Sequence, residues 1–466
     1  MSFMKNNENK QVSRREFIKR NALAGLGTAV ASGLSVPLFA GQISKPEAPA
    51  VLGGSPAWNK LSWPKWPQWN PETDEKQVIE VIRSGVWSRG DVVRDFEKQW
   101  GDAVGTKRCL TVVNGTNALV TAISQLGIEA GDEVLVPPYT FIATVSAVLS
   151  NGALPVFVDV DPKTFQMDPA KIEAKITSRT KAIIPVHILG LPADMDPIMA
   201  IARKHKLVVI EDACQAHLAE YKGQKVGSIG NAGCFSFQNS KNLAIGEGGA
   251  IVSNDDAFID RSFSYSNFGN PYGTAVGAVS TGAVMQGTKL RWTEYQAAIG
   301  LAQLKRLDAQ TTTRNENAAY LKSQIKDIPG IMPYELYKNV TRGAFHLFPF
   351  RYNPEGFKGL SRESFLKALR AEDIPCSSGY AVLNTQAFLN DTFQSKAYQK
   401  VYPRELLDIK KYNERNSCPK NDKLCTEAVW FTQNLLLGSR QDMDAIASAI
   451  EKVHKNAEQI KKQGQK

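Results

Sequence analysis

A chain of 466 residues, 43% of them hydrophobic, is long enough to bury a sizeable core and is expected to divide into two or three domains. Its ordinary composition excludes the disordered and fibrous classes. The formal charge of +10 is inflated by the first 40 residues, which hold six Lys and Arg against Glu8 and Glu16. The remaining excess forms no long basic run, so it argues against a nucleic-acid partner and suits a soluble enzyme that handles acidic ligands.

In chain order, Ser13-Arg14-Arg15-Glu16-Phe17-Ile18-Lys19 resembles the twin-arginine export motif, and a charge-free stretch of small and apolar residues follows over 22–40. Gly25, Gly27, Gly33 and Pro37 disfavour a spanning helix there, and Leu38-Phe39-Ala40 offers a cleavage site. Residues 1–40 are therefore expected to be a signal segment, sending the protein to the periplasm or beyond; an amphipathic or membrane-anchoring helix is the other reading. No membrane association is expected outside this segment.

Residues 41–75 are rich in Pro and Trp and read as an irregular arm packed on the body. Helical spacing of Val78, Ile79, Val81 and Ile82, then of Phe96 and Trp100, places helices within 76–106 around a turn at 84–90. From 110 to 255, apolar strands are expected at 133–136, 155–160, 182–186, 207–210, 234–237 and 250–253. Helices are expected at 117–126, 141–150, 169–176 and 195–205. That alternation predicts an α/β fold with a mostly parallel sheet covered by helices on both faces, and ligands at the carboxyl ends of its strands. A long helix from 293 to about 326 leads to a smaller α/β unit. The expected organisation is an arm with helices at 41–106, a large domain at 107–330 and a small domain at 331–466. Cys109, Cys214, Cys234 and Cys376 read as buried thiols; Cys418 and Cys425 are candidates for a bridge if the protein is exported. The five histidines are dispersed without ligand spacing, so no metal site is expected.

Four short stretches carry chemistry. Lys241 follows the apolar strand Phe235-Ser236-Phe237 and precedes Gly246-Glu247-Gly248-Gly249; at the carboxyl end of a strand, desolvation lowers an amine's pKa, as a Schiff-base lysine requires, although most lysines after strands are simply solvated. The strand ending in Glu211-Asp212 offers a carboxylate for a cationic ring, although either acid can instead cap the following turn. By alternation Asp212 shares the side of Val208 and Ile210, and Asp212 is chosen. Asn114-Gly115-Thr116-Asn117 opens a helix whose free N–H groups suit a phosphate, or it is an ordinary N-cap. In Pro138-Tyr139-Thr140-Phe141, an aromatic ring either stacks on a ligand or fills core.

Taken together, and with Gly131-Asp132-Glu133-Val134, Phe157-Val158-Asp159-Val160-Asp161, Pro185-Val186-His187 and Arg291-Trp292-Thr293-Glu294-Tyr295-Gln296-Ala297-Ala298, these stretches resemble the DegT/DnrJ/StrS-type sugar aminotransferases over about 62–455. The resemblance implies a fold-type I transferase dependent on pyridoxal 5'-phosphate. It implies Lys241 as the Schiff-base and proton-shuttle lysine and Asp212 as partner of the pyridine nitrogen. Gln215 would sit near the phenolic oxygen, Gly115, Thr116, Asn117 and Ser236 at the phosphate, and Phe141 on the ring. It implies a homodimer with shared sites, in which the stretch 287–291 reaches the partner's cofactor; here Lys289 stands where the family has asparagine. Leu218 stands where the family commonly has glycine, with a consequence for either the substrate pocket or the packing. Lys241 itself argues against the family's dehydratases. Pro64-Lys65-Trp66-Pro67-Gln68-Trp69 and Cys418-Pro419 are closest to the branch acting on keto-cyclitols such as scyllo-inosose. The expected reaction is ping-pong transfer of an amino group from glutamine or glutamate to a keto-sugar or keto-cyclitol. The alternative is an exported cofactor-binding sensor with little turnover, suggested by the signal segment and by the changes at Lys289 and Leu218.

Overall fold

The computed structural model describes residues 48–58, 63–275, 277–278 and 282–464; the twin-arginine stretch lies outside the described residues. Helix α1 (Pro71–Ser84) starts with Pro at its first turn under an Asn70 cap and stops at Gly85, whose φ of 71° suits glycine. Helix α2 (Asp91–Val104) buries Val93, Phe96 and Trp100 at the expected spacing.

The large domain is built on a seven-stranded sheet. Its strands are β1 (Arg108–Val112), β2 (Glu133–Val136), β3 (Leu154–Phe157), β4 (Thr180–Ile183), β5 (Val208–Asp212), β8 (Ala232–Ser236) and β9 (Gly249–Ser253). The short pair β6 (Glu220–Tyr221) and β7 (Gln224–Lys225) forms a separate small sheet with Val340–Arg342. The order is β1-β9-β8-β5-β4-β2-β3, parallel from β3 through β8. β9 runs antiparallel to both its neighbours, because the 237–248 connection from β8 contains no crossover helix. Helices α3 (Gly115–Gln125) and α4 (Ala143–Ser150) pack with Ile210 and Ile251 on one face. Helix α5 (Met195–His205) packs with α2, Val209 and Phe235 on the other. Helix α6 (Asp256–Ser266) closes the first layer through Phe258 and Ile259.

Helix α7 (Glu294–Ile325) is 32 residues long and belongs to two cores. Ala297, Leu301 and Leu307 pack in the large domain, whereas Ala318, Leu321 and Ile325 pack in the small one. The small domain surrounds a four-stranded antiparallel sheet in the order Ile331–Pro333, Leu347–Tyr352, Ala428–Thr432, Ser377–Ser378.

Three local expectations differ. The segment 169–176 forms two single 3-10 turns, Pro169–Lys171 and Glu173–Lys175, because only Ile172 is buried and one apolar contact cannot hold a helix against the sheet. Strand β1 stands outside the expected strands although Cys109-Leu110-Thr111-Val112-Val113 is largely apolar; it is an edge strand, paired only with β9. Cys418 and Cys425 are unpaired: Cys418 packs into the large-domain core and Cys425 into the small-domain core, so their side chains serve different layers.

Candidate active site

A cavity of ≈ 470 Å³ opens at the carboxyl ends of β5 and β8 and the amino end of α3, within the size range of small-molecule sites. At α3, the Asn114 side chain accepts from Asn117 N at 2.9 Å, while the N–H groups of Gly115 and Thr116 find no acceptor among the described residues. Gly115 is required by space: a Cβ there would lie 2.7 Å from Ser236 Cβ and 2.8 Å from Cys214 Sγ. The helix end can thus approach β8 closely, and two unused donors with the helix dipole face the cavity.

Alternation along β5 sends its two acids to opposite faces. Asp212 lines the cavity. Its Oδ2 accepts from Thr144 Oγ1 at 2.7 Å and its Oδ1 from Cys214 N at 3.2 Å. Thr144 spends its hydrogen on Asp212, so Thr140 Oγ1, 2.9 Å away, donates to Thr144. Glu211 points to the far face and is fully buried. It accepts from the main-chain N–H groups of Gly227, Ile229 and Gly230 at 2.6–2.7 Å. His187 Nδ1 accepts from Ala193 N at 3.0 Å, so its proton sits on Nε2 and is donated to Glu211 at 2.9 Å. Glu211 is therefore an organiser of the 227–230 turn. Glu211→Gln replaces one acceptor by a donor facing N–H groups and is expected to lower stability by about 2–3 kcal/mol. Urea unfolding measures it, and an unchanged midpoint would refute this role.

Lys241 is the lysine of the cavity wall among the described residues. Burial lowers its pKa below the ordinary amine value, with Cys214 and Asp212 pulling it partly back. Ser236 and the half-exposed Phe141 complete the wall foreseen from sequence. Gln215 is fixed at both ends: its Oε1 accepts from Leu189 N at 2.8 Å and its Nε2 donates to Tyr380 Oη at 2.9 Å. Two expected residues stand elsewhere. Asn117 is outside the cavity wall, its N–H and Nδ2 both directed to Asn114 Oδ1, so it completes the helix cap. Lys289 is exposed, bridged in β fashion to Asn267, and absent from this chain's own cavity.

Sequence reasoning missed Asn114, Thr144, His346 and Tyr380 on the wall. Thr144 lies in the helix after Phe141, one turn on, and that spacing was its available signal. His346 and Tyr380 come from the small domain and carry no local signal. Leu218 holds a φ of 59°, a left-handed conformation that costs a leucine about 1–2 kcal/mol. It lines a shallow groove with Gln99, Ala103 and Leu304 and not the cavity, so its consequence is for packing.

Residues 70–450 match the DegT/DnrJ/EryC1/StrS aminotransferase family. The chain is 34% identical to a putative L-glutamine:3-amino-2,3-dideoxy-scyllo-inosose aminotransferase of Streptoalloteichus tenebrarius, covering 88% of this chain and 99% of that protein. It is 33% identical to an L-glutamine:scyllo-inosose aminotransferase of Streptomyces griseus, covering 88% and 98%. The X-ray structure of an aminotransferase from Psychrobacter cryohalolentis superposes with a TM-score of 0.74 at 31% identity, over 85% of this chain and all of that one. The cavity fits pyridoxal phosphate on its own chemistry: two free helix amides for a phosphate, an oriented carboxylate for a ring nitrogen, and a desolvated amine for the aldehyde. With the fold-type I architecture, these likenesses make the chain a member of the DegT/DnrJ/EryC1/StrS family, a pyridoxal-phosphate-dependent aminotransferase.

Proposed function

We propose that this enzyme moves the amino group of glutamine to a keto-cyclitol, with Lys241 as the residue that holds the cofactor and carries the proton. The observation behind the site is the convergence of Lys241, Asp212 and the open amides of α3 on one cavity. The substrates are those named for relatives that align with nearly their whole length to this chain. When bound, pyridoxal phosphate supplies the electron sink that makes a substrate's carbon–hydrogen bond acidic. Gly115 and Thr116 N–H and the Ser236 hydroxyl hold the phosphate, and Phe141 covers the ring. Asp212, oriented by Thr144, accepts from the ring nitrogen, while Gln215 stands beside the phenolic oxygen. Lys241 Nζ, whose pKa burial lowers and whose proton is therefore held less tightly, takes the proton from the donor's α-carbon and returns it in the second half of the cycle. Glutamine leaves as its 2-oxo acid; the ketone leaves as an amine.

The same proposal includes a homodimer. Phe141, Ile142 and Phe268 are exposed apolar side chains, 56%, 42% and 53% accessible, and Phe141 belongs to the cavity mouth. A second copy covering them would bring its 287–291 stretch, with Lys289, to the phosphate as a point charge. Export by the twin-arginine route is part of the proposal as well, supported by Arg14-Arg15 and the charge-free stretch after them.

The half-reaction tests the function. Purified holoenzyme mixed with glutamine, without acceptor, is expected to lose its visible absorbance and release about one equivalent of 2-oxo acid per chain. Adding scyllo-inosose should restore the absorbance. Glutamine that releases no 2-oxo acid would overturn the donor, and failure of every keto-cyclitol and keto-sugar to restore the absorbance would overturn the acceptor.

A further inference from the structure

The Pro/Trp-rich arm is the sequence feature that the reaction does not use. Its middle passes Lys241: Trp66 Nε1 donates to the main-chain oxygen of Lys241 at 3.2 Å. The arm is clamped on both sides of that contact. Asn434 Nδ2 donates to Pro64 O at 2.9 Å. Gln303 Nε2 and Arg306 Nη1 donate to Gln68 O at 2.9 and 3.1 Å, and Gln310 Nε2 to Gln68 Oε1 at 2.9 Å.

Behind the indole lies Arg314, fully buried in α7, its guanidinium carbon 5.3 Å from the Trp66 ring centroid. Its Nε and Nη2 both donate to Gln433 Oε1, at 3.0 and 2.6 Å, and its Nη1 has no partner among the described residues. No carboxylate among the described residues pairs with it. A desolvated cation without a counter-ion is costly, and a π face is the compensation at hand. A cation on the face of an indole also draws electron density from the ring, which sharpens its N–H as a donor. Lys241, for its part, sits in the irregular 237–248 connection, where its own N–H is tied to Gln238 O at 2.8 Å and the next residue, Asn242, donates Nδ2 to Ala344 O at 2.7 Å.

We propose that Trp66, backed by Arg314, is a positioning residue for Lys241: the arm fixes the main-chain carbonyl of the lysine from outside the sheet. A loop residue that has to bond and then shuttle a proton needs its backbone held still while Nζ moves, and loops do not supply that rigidity alone. The inference rests on the assignment of Lys241 to the cofactor.

Trp66→Phe removes the N–H and keeps a ring for Arg314. Trp63→Phe is the control, since Trp63 lies in the same arm but donates Nε1 to Asp373 O at 2.8 Å. In cofactor-free protein, amide exchange in a peptide covering 238–245 is expected to quicken about fivefold or more in Trp66→Phe and to stay unchanged in Trp63→Phe. In the holoenzyme, Trp66→Phe should lower kcat about five- to tenfold with KM for glutamine unchanged, and shift the pH midpoint of the visible absorbance. Should Trp66→Phe not fold, Arg314→Met gives the same readouts in the same direction. Parental exchange and an unshifted midpoint, or an equal change in Trp63→Phe, would overturn the inference. If Lys241→Ala still bound the cofactor covalently, the lysine assignment would fall instead, and the exchange result in cofactor-free protein keeps the two failures apart.

Discussion

Lys241→Ala is expected to remove the visible absorbance of the bound cofactor and to cut amino transfer by about a thousandfold or more, the combined loss of a covalent anchor and a proton carrier. No second lysine lines the cavity among the described residues, so no neighbouring amine of this chain replaces it. Cys214 is close by, but burial raises its thiol well above the ordinary range, which leaves it neutral and a poor base. His346 on the wall is a weak base for a different reason: burial, then Lys241, His217 and Arg314, hold it well below the usual histidine value. The fold should survive the change, because Nζ makes no hydrogen bond to protein among the described residues. Absorbance after reconstitution and 2-oxo acid release measure the two losses, and retained transfer in this variant would remove Lys241 from the mechanism.

The second large effect is on acid stability. His217 is fully buried and its pKa is pushed down to about 3, by burial first and then by Lys241, against a bond to Ser236 O at 2.9 Å that raises it. His346 is shifted the same way. Both are neutral in the fold and near two cations, Lys241 and Arg314, with no carboxylate among the causes of either shift. The unfolded chain takes up these protons below about pH 6.5, whereas folded His217 does not until about pH 3. The native state is thus undisturbed above about pH 6.5 and loses stability as the pH falls from there toward 3. Inside that window His217 contributes a slope of about 1.4 kcal/mol per pH unit, a large share of an ordinary domain's stability within two units, and His346 acts in the same direction. Urea midpoints of cofactor-free protein between about pH 7.5 and 5 measure the slope, and His217→Gln should flatten it by about one proton. An unchanged slope in that variant would show that His217 does not carry the effect.

Much of the site was legible because it is local. Lys241 follows its strand at a fixed distance, and Gly115 and Thr116 open a helix immediately after β1. Period-two alternation assigned Asp212 and Glu211 to opposite faces, and the packing of Ile210 and Val209 in different layers agrees with it. The limits lay one residue or one domain away. Asn117 shares the motif of Thr116, yet helical rotation and its own capping bonds take it off the wall. The Gln215–Tyr380 and Trp66–Lys241 contacts span 165 and 175 residues, beyond the reach of any local period.

The sequence by itself determined the α/β class, the largely parallel sheet, the lysine after its strand and the carboxylate on the cavity side, since strand and helix periods fix which face each side chain takes. Tertiary structure alone decided what stands behind those residues. Thr144 holds Asp212, His217 and His346 pack near the lysine, and an arm 175 residues earlier grips its backbone. Periodicity specifies directions within an element, whereas distances between elements follow from how whole layers pack, and the setting of Lys241 depends on both.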